Sequence, residues 1–153
     1  MLSKFENFSL GMHEVYSSIH KCESKEMAKY GLKGTYVRYL VAMLLCPDGL
    51  TISQLCEVCD QDKAAVSRAV SELVGREFIW RDNPRGNHYR ARLKLTERGI
   101  ALAKEVCGSG ESVFEEAVEV LNEEQKAEFF NLMDVISKNM HGIIMKKAEK
   151  IDK

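Results

Sequence analysis

Two short amphipathic segments, separated by only a few residues, constrain the fold of this chain more than any other feature. Apolar positions fall at i, i+3, i+4 and i+7 in residues 52–59, and residues 63–75 repeat that pattern. Thr51 and Asp62 stand directly before the two segments and are suitable helix N-caps. Two amphipathic helices joined by so short a turn must share one core, so the pattern predicts a helix-turn-helix.

A β-hairpin is predicted directly after the helix pair. Residues 78–81 and 89–95 have the composition of strands, and Pro84, Gly86 and Asn87 favour a turn between them. An extended second strand would alternate its side chains between two faces. One face is then apolar and the other cationic: Tyr89, Ala91, Leu93 and Leu95 on the first, and Arg90, Arg92 and Lys94 on the second.

Longer helices are predicted on both sides of this region, which makes the fold class mainly α with a small β-hairpin (α+β). Apolar residues recur at steps of three and four in two terminal segments: Phe5, Phe8, Met12, Val15, Ile19 and Cys22 in the first, and Phe129, Met133, Ile136, Met140 and Ile143 in the last. Residues 36–45 are predicted as a short buried helix, and Thr96 and Asn122 as N-caps of two later helices. Two glycines in residues 107–110 each cost roughly 1 kcal/mol in a helix interior, so we expect a kink or hinge there.

Composition argues against two classes of protein. No stretch of the 153 residues approaches the roughly 20 apolar residues that a membrane-spanning helix needs. The N-terminal residues lack the apolar block of a secretory signal. Five cysteines, an odd number, favour reduced thiols over a disulfide framework. We therefore expect a cytoplasmic protein without a membrane partner.

The formal net charge of −1 conceals a cationic segment. Residues 63–98 contain nine Lys or Arg and four Asp or Glu, a charge of +5, whereas the rest of the chain carries −6. A solvated surface explains many such clusters, but a nucleic-acid-binding surface also requires one.

The outward face of the second helix taken alone is that of an ordinary solvated surface, and the hairpin that follows it favours the nucleic-acid interpretation. Small side chains allow a helix to enter the major groove, where Arg68 could reach base edges or phosphates. A hairpin after such a helix is typical of a winged helix, whose wing cations neutralise phosphates; the alternative is a charged strand that discourages edge pairing. The predicted DNA-contacting residues are Lys63, Ala64, Ser67, Arg68 and Ser71 in the helix and Arg85, Arg90 and Arg92 in the wing.

In this order of elements the chain resembles the MarR family of transcriptional regulators over residues 49–99. The shared motifs are Val66-Ser67-Arg68 in the second helix, Ile79 before the wing, and Leu95-Thr96-Glu97 with Gly99 after it. The sequence departs from the family pattern at two places. Asn87 and Tyr89 stand where the wing usually carries an Asp and an Arg, and Asp60-Gln61 replaces a glycine-hydrophobic turn.

The resemblance implies a homodimer, and the two terminal apolar seams independently favour one. Residues 1–30 and 97–153 would form a helical dimerisation region, and residues 35–96 a winged helix-turn-helix DNA-binding lobe, within one structural domain. Such a dimer would act as a repressor on a pseudo-palindromic operator with half-sites about 10 bp apart. Family members often bind a small aromatic effector, for which the expected pocket residues are Tyr16, His20, Tyr36, Arg38 and Tyr39.

Cys56 and Cys59 keep a second interpretation open. Their C-x-x-C spacing is typical of a redox pair or half of a metal site, so a redox-sensing regulator or a thiol oxidoreductase is an alternative. Both sulfurs occupy the apolar stripe of their helix, where cysteine acts as a small hydrophobe. Cys22 is a further candidate for a redox-sensing thiol. A third interpretation of the whole chain is a winged helix that binds only protein. We expect no enzyme activity, no metal and no cofactor.

Overall fold

The computed structural model describes residues 3–83, 86 and 91–151, with side chains described as far as residue 143. The chain divides into two compact units, Met1–Ser112 and Val113–Lys153. The described residues form helices and one two-stranded antiparallel sheet, which confirms the predicted fold class. In chain order the elements are α1 (Lys4–Ala28), α2 (Val37–Leu45) preceded by a 3₁₀ turn (Gly34–Tyr36), α3 (Ile52–Cys59), α4 (Lys63–Gly75), β1 (Ile79–Asp82), β2 (Arg92–Leu95), α5 (Glu97–Val118) and α6 (Glu123–Ile151).

Local hydrogen bonds begin the helix pair where the sequence predicts it. The Gln54 N–H donates to the Thr51 hydroxyl at 3.2 Å, and the Thr51 N–H donates to the Gln54 side-chain oxygen at 3.0 Å. The Ala65 N–H donates to the Asp62 carboxylate at 2.8 Å. These bonds satisfy donors that a helix leaves unpaired in its first turn, so α3 and α4 start at defined residues.

One face of α4 lies at the centre of the core of the first unit. This face has no exposed surface at its four predicted core positions, which are Val66, Ala69, Val70 and Leu73. They share one cluster with Leu40 of α2, Leu55 of α3 and Leu93 of β2. Full burial of an aliphatic side chain stabilises a fold by about 1.5–3 kcal/mol. The rotation of α4 about its own axis is therefore fixed by the core.

The first strand starts one residue later than predicted. β1 begins at Ile79 rather than Phe78, because the Phe78 N–H donates to the Leu73 carbonyl at 2.9 Å and closes the last turn of α4. The register of the hairpin runs from Ile79 opposite Leu95 to Asp82 opposite Arg92.

The predicted alternation of the second strand holds over residues 91–93 but not at its end, where Lys94 and Leu95 are both half-buried. Ala91 and Leu93 are buried, and Arg92 is exposed. Leu93 also forms an isolated bridge with Leu50, in which each N–H donates to the other residue's carbonyl. This bridge attaches the wing to the segment that leads into α3. Tyr89 and Arg90 lie outside the described residues.

The helix is not broken at residues 107–110, because α5 continues through Gly108 and Gly110 to Val118, and the kink or hinge expected there stays a prediction. The helix buries Leu102 and Val106 in the core one turn earlier. Tertiary packing supplies most of the stability of a helix in a protein, so it outweighs the low propensity of two glycines.

Two helices of the lobe end in a left-handed residue that is not glycine. Asp60 follows α3 with φ 49° and Glu77 follows α4 with φ 63°. In both turns the next residue closes the helix, since the Gln61 N–H donates to the Cys56 carbonyl at 3.0 Å, as Phe78 does to Leu73. Glycine is the usual residue here because a side chain crowds the backbone at positive φ. Asp60 thus adopts a conformation that glycine adopts at lower cost.

The two terminal helices expose most of their apolar seams in the isolated chain. The large exposed side chains include Phe5, Phe8, Met12, Val15 and Ile19 of α1 and Phe129, Leu132, Ile136, Met140 and Ile143 of α6. Neither these helices nor any other described one has the length and hydropathy of a membrane span. Each helix thus presents an apolar stripe that the fold of its own unit leaves uncovered.

Gly99 and Gly108, which lie in the same helix, allow a matched test of the packing. A Cβ on Gly99 would lie 2.0 Å from the Phe78 carbonyl oxygen, whereas one on Gly108 would meet nothing within 4 Å. We expect Gly99→Ala to lower the free energy of unfolding by about 1–3 kcal/mol through overpacking. Gly108→Ala should raise it by about 0.5–1 kcal/mol through helix propensity. Urea denaturation at one protein concentration measures both, and equal effects of the two substitutions would contradict this packing.

Candidate nucleic-acid interface

The face of α4 opposite its core carries the residues that the sequence assigns to DNA. Lys63, Ala64, Arg68 and Ser71 are exposed, and Ser67 is half-buried. Because the buried stripe fixes the rotation of the helix, this small-residue face points to solvent as a consequence of packing. All five predicted helix residues therefore lie on an accessible or partly accessible surface.

Arg68 stands on this face with its guanidinium available to an external acceptor. Within the described part of the chain it makes no hydrogen bond and no ion pair that fixes its guanidinium. Its positive charge acts on Tyr36, whose hydroxyl donates to the Glu72 carboxylate at 2.7 Å. Burial first, and then this carboxylate, raise the pKa of Tyr36 to about 12, while Arg68 opposes the rise. Tyr36 therefore stays protonated and ties the segment before α2 to the C-terminal half of α4.

The wing brings part of its predicted cationic face to the surface. Arg92 is exposed, and its Nη1 donates to the Gly49 carbonyl at 2.9 Å. Lys94 instead pairs with Asp82 at 2.8 Å and lies 5.7 Å from the centre of the Trp80 ring. The charge of Lys94 is thus largely compensated within the hairpin. The alternating sequence of β2 could not predict this pairing, because Asp82 lies on the other strand. Arg85 and Arg90 lie outside the described residues.

A separate cavity of about 450 Å³ lies against α1, α2 and the end of α3. Of the five residues predicted for an effector pocket, Tyr16, His20 and Arg38 line it. Tyr36 and Tyr39 do not, because both are buried in the core. The sequence argument missed several apolar and acidic lining residues, among them Glu23, Val41, Leu45 and Val58. The i, i+4, i+8 spacing of Val37, Val41 and Leu45 was the signal that could have identified this wall.

Arg38 is the polar centre of that cavity. Its Nη2 donates to the Tyr16 hydroxyl at 3.1 Å, and its Nη1 donates to the Cys59 carbonyl at 3.3 Å. The guanidinium therefore connects α1 to the C-terminal end of α3. Since α3 packs on α4, a ligand that occupied this guanidinium would act close to the helix-turn-helix.

Cys59 has the surroundings of a structural thiol. The five cysteines are unbonded to one another, and Cys59 is buried while Cys56 is half-buried. Burial raises the pKa of Cys59, with the charge of Arg38 opposing it, and burial also raises the pKa of Cys107. A reactive thiol needs the opposite shift. Among the described residues, no group of three or more His, Cys, Asp or Glu side chains could hold a metal ion.

The comparisons with known proteins agree on one fold. The family model described as MarR family matches residues 30–86. A solved MarR transcriptional regulator from Methanosarcina mazei Go1 is 20% identical, with a TM-score of 0.79, and the match covers 90% of this chain and 99% of that one. MepR, described as a transcription regulator of the Staphylococcus aureus multidrug efflux pump MepA, is 19% identical with a TM-score of 0.67, covering 90% and 98%. A MarR/EmrR family transcriptional regulator from Acinetobacter sp. ADP1 is 18% identical with a TM-score of 0.71, covering 92% and 99%.

No curated protein sequence matches the chain. The matched segment 30–86 contains the helix pair and the first strand of the hairpin, which are the elements that carry the candidate interface. The MarR family model thus matches the part of the chain that forms the helix pair, and the fold is the mainly helical winged-helix fold of the solved MarR regulators to which the chain is similar.

Proposed function

We propose that this chain is a sequence-specific DNA-binding transcriptional regulator that works without catalysing a reaction. The observation that carries the proposal is the exposed α4 face, where Arg68 stands among Ala64, Ser67 and Ser71. Such a face fits the major groove, since small side chains permit close approach and an arginine can donate to guanine bidentately. Lys63 and the N-terminus of α4 suit a phosphate. The wing, with Arg92 exposed beside it, would lie along the adjacent backbone.

The proposed active form is a homodimer. The exposed apolar stripes of α1 and α6 are the support for this, because a second copy would remove both from water. In this arrangement residues 1–30 and 97–153 make the dimer, and residues 35–96 bind DNA. A two-fold axis would present two α4 helices to a pseudo-palindromic duplex with half-sites about 10 bp apart. Occupation of such an operator would repress transcription in the cytoplasm.

The cavity at Arg38 is the proposed effector site. It offers a guanidinium among apolar and aromatic side chains, which suits a small aromatic molecule with a negative charge. An effector acts only if it binds one arrangement of the lobes better than the other. An effector that bound the Arg38 guanidinium would compete with the Cys59 carbonyl, to which the same guanidinium donates at the end of α3. It would therefore bind more tightly to an arrangement in which that hydrogen bond is broken.

Substitutions of Arg68 test the interface. On a duplex chosen by selection with the wild-type protein, Arg68→Ala should weaken binding by about 1–3 kcal/mol if the contact is to a base. Arg68→Lys keeps the charge but loses the bidentate fork, so it should lose much of the preference for that duplex over a scrambled one. Lys104→Ala, on the exposed side of α5, serves as the control for lost charge. Fluorescence anisotropy at fixed salt measures all three, and wild-type affinity in Arg68→Ala would refute the assignment of α4.

The dimer is tested by placing a charge on the seam of α6. Ile136→Glu puts a carboxylate on the exposed apolar stripe and should shift the protein towards monomer, because burial of an unpaired charge is costly. Asn131→Glu adds the same charge to the opposite face of the same helix and should leave the assembly unchanged. Sedimentation velocity measures the state of each, with circular dichroism to confirm helix content. A monomeric wild type, or equal behaviour of the two variants, would argue against this interface.

A further inference from the structure

A second cleft, of about 470 Å³, lies where the ends of three helices meet. It shares no lining residue with the cavity at Arg38. Its walls come from the residues just after α1, the last turn of α4 with the residues that follow, and the first turn of α5. They carry three cations and one carboxylate, which are Lys29, Arg76, Arg98 and Glu77. Positive charge from three distant parts of the sequence therefore converges on one concave surface.

The Arg76 guanidinium is held in place by the backbone of another element. Its Nη1 donates to the Tyr30 carbonyl at 3.0 Å, and its Nη2 lies 3.3 Å from a Glu72 oxygen. Glu72 also accepts the hydrogen bond of the Tyr36 hydroxyl at 2.7 Å. The carboxylate of Glu72 is thus shared between a hydroxyl and a cation, and it lies outside the lining of the cleft.

The Arg98 guanidinium is also held by contacts with neighbouring groups, and it lies in the first turn of α5, which is an electrostatically unfavourable place for a cation. Its Nη1 donates to the Arg76 carbonyl at 3.3 Å and lies 3.4 Å from a Glu77 oxygen, while its guanidinium stacks 4.9 Å from the centre of the Phe78 ring. Within the described part of the chain its hydrogen bonds all leave from Nη1, so Nη2 and Nε keep their donors. A cation in the first turn of a helix is repelled by the positive end of the helix dipole, and a bound anion would offset this repulsion.

Glu77 supplies the one acidic side chain among the residues that line the cleft. It sits in the left-handed region at φ 63°, where a side chain costs about 1–2 kcal/mol. Its side chain is 81% exposed and weakly tied to Arg98. A strained backbone that places an exposed carboxylate beside the Arg98 guanidinium gives that cation a weak internal counter-ion that a stronger anion can displace.

We propose that this cleft is a binding site for a small phosphate-bearing anion, held between Arg76 and Arg98. Lys29, whose ammonium already pairs with Glu26, adds a weaker third positive charge. The Nε and Nη2 donors of Arg98 can meet two phosphate oxygens at once. Arg76, oriented by the Tyr30 carbonyl and by Glu72, adds its charge and its remaining N–H donors. The cleft lies at the C-terminal end of α4, about 18 Å along the helix from Lys63, given a rise of 1.5 Å per residue. A free phosphate compound is therefore favoured over the backbone of a duplex read by the N-terminal part of α4. The site does not depend on the proposed DNA-binding function.

Calorimetric titration with inorganic pyrophosphate at low ionic strength tests this site in the full-length protein. Arg98→Gln should weaken binding about tenfold, as expected for the loss of a charge-assisted hydrogen bond. Glu77→Gln, which removes the competing carboxylate, should strengthen binding about threefold. Lys104→Gln removes a charge from the same helix outside the cleft and should change the Kd less than about twofold, since an exposed distant charge is screened. Melting temperatures of the variants confirm that each is folded.

Arg98→Gln and Glu77→Gln should change the affinity for pyrophosphate in opposite directions, so either variant alone tests the site if the other folds poorly. Absence of saturable pyrophosphate binding to the wild type, or equal weakening by Arg98→Gln and Lys104→Gln, would overturn the site. A titration with duplex DNA of random sequence separates the two sources of phosphate. The proposal predicts equal duplex affinity for Arg98→Gln and Lys104→Gln. Duplex binding weakened by Arg98→Gln alone, with pyrophosphate binding unchanged, would assign the cleft to nucleic acid instead.

Discussion

Burial of one face of α4 is the constraint on which the rest of the lobe depends. Val66, Ala69, Val70 and Leu73 leave no surface exposed, and the helix cannot rotate without uncovering them. The outward position of Arg68 is therefore a consequence of the core. The wing depends on the same packing, because Leu93 of β2 belongs to the same cluster and bridges to Leu50 ahead of α3. The hydrophobic core thus determines which side chains of α4 face solvent.

The two ends of α4 lie beside surfaces of different character. Its N-terminus is capped by Asp62 and opens onto the small-residue face. Its C-terminus, at Gly75, lies two residues before the strained Glu77 and adjoins a cationic cleft lined also by residues after α1 and in α5. The helix thus connects a surface suited to DNA with a surface suited to a small anion. Arg38 makes a second connection of this kind, from α1 to the end of α3.

Features set by neighbours in sequence could be predicted, and features set by distant neighbours could not. Thr51, Asp62 and Asn122 cap their helices because the hydrogen bonds involved span three residues. The cavity and the cleft arise from side chains far apart in sequence, and no spacing rule brings Arg76 to Arg98. Tyr39 illustrates the limit, since its place near the first helix suggested a pocket but packing put it in the core. The glycines of α5 show that low helix propensity does not by itself end a helix.

The most direct test of the central claim is selection of bound duplexes from a random-sequence DNA pool by the purified full-length protein at fixed salt. If paired α4 helices read successive turns of a duplex, the enriched sequences will contain an inverted repeat with half-site centres about 10 bp apart. Enrichment of no sequence, or of a single site without two-fold symmetry, would contradict the account.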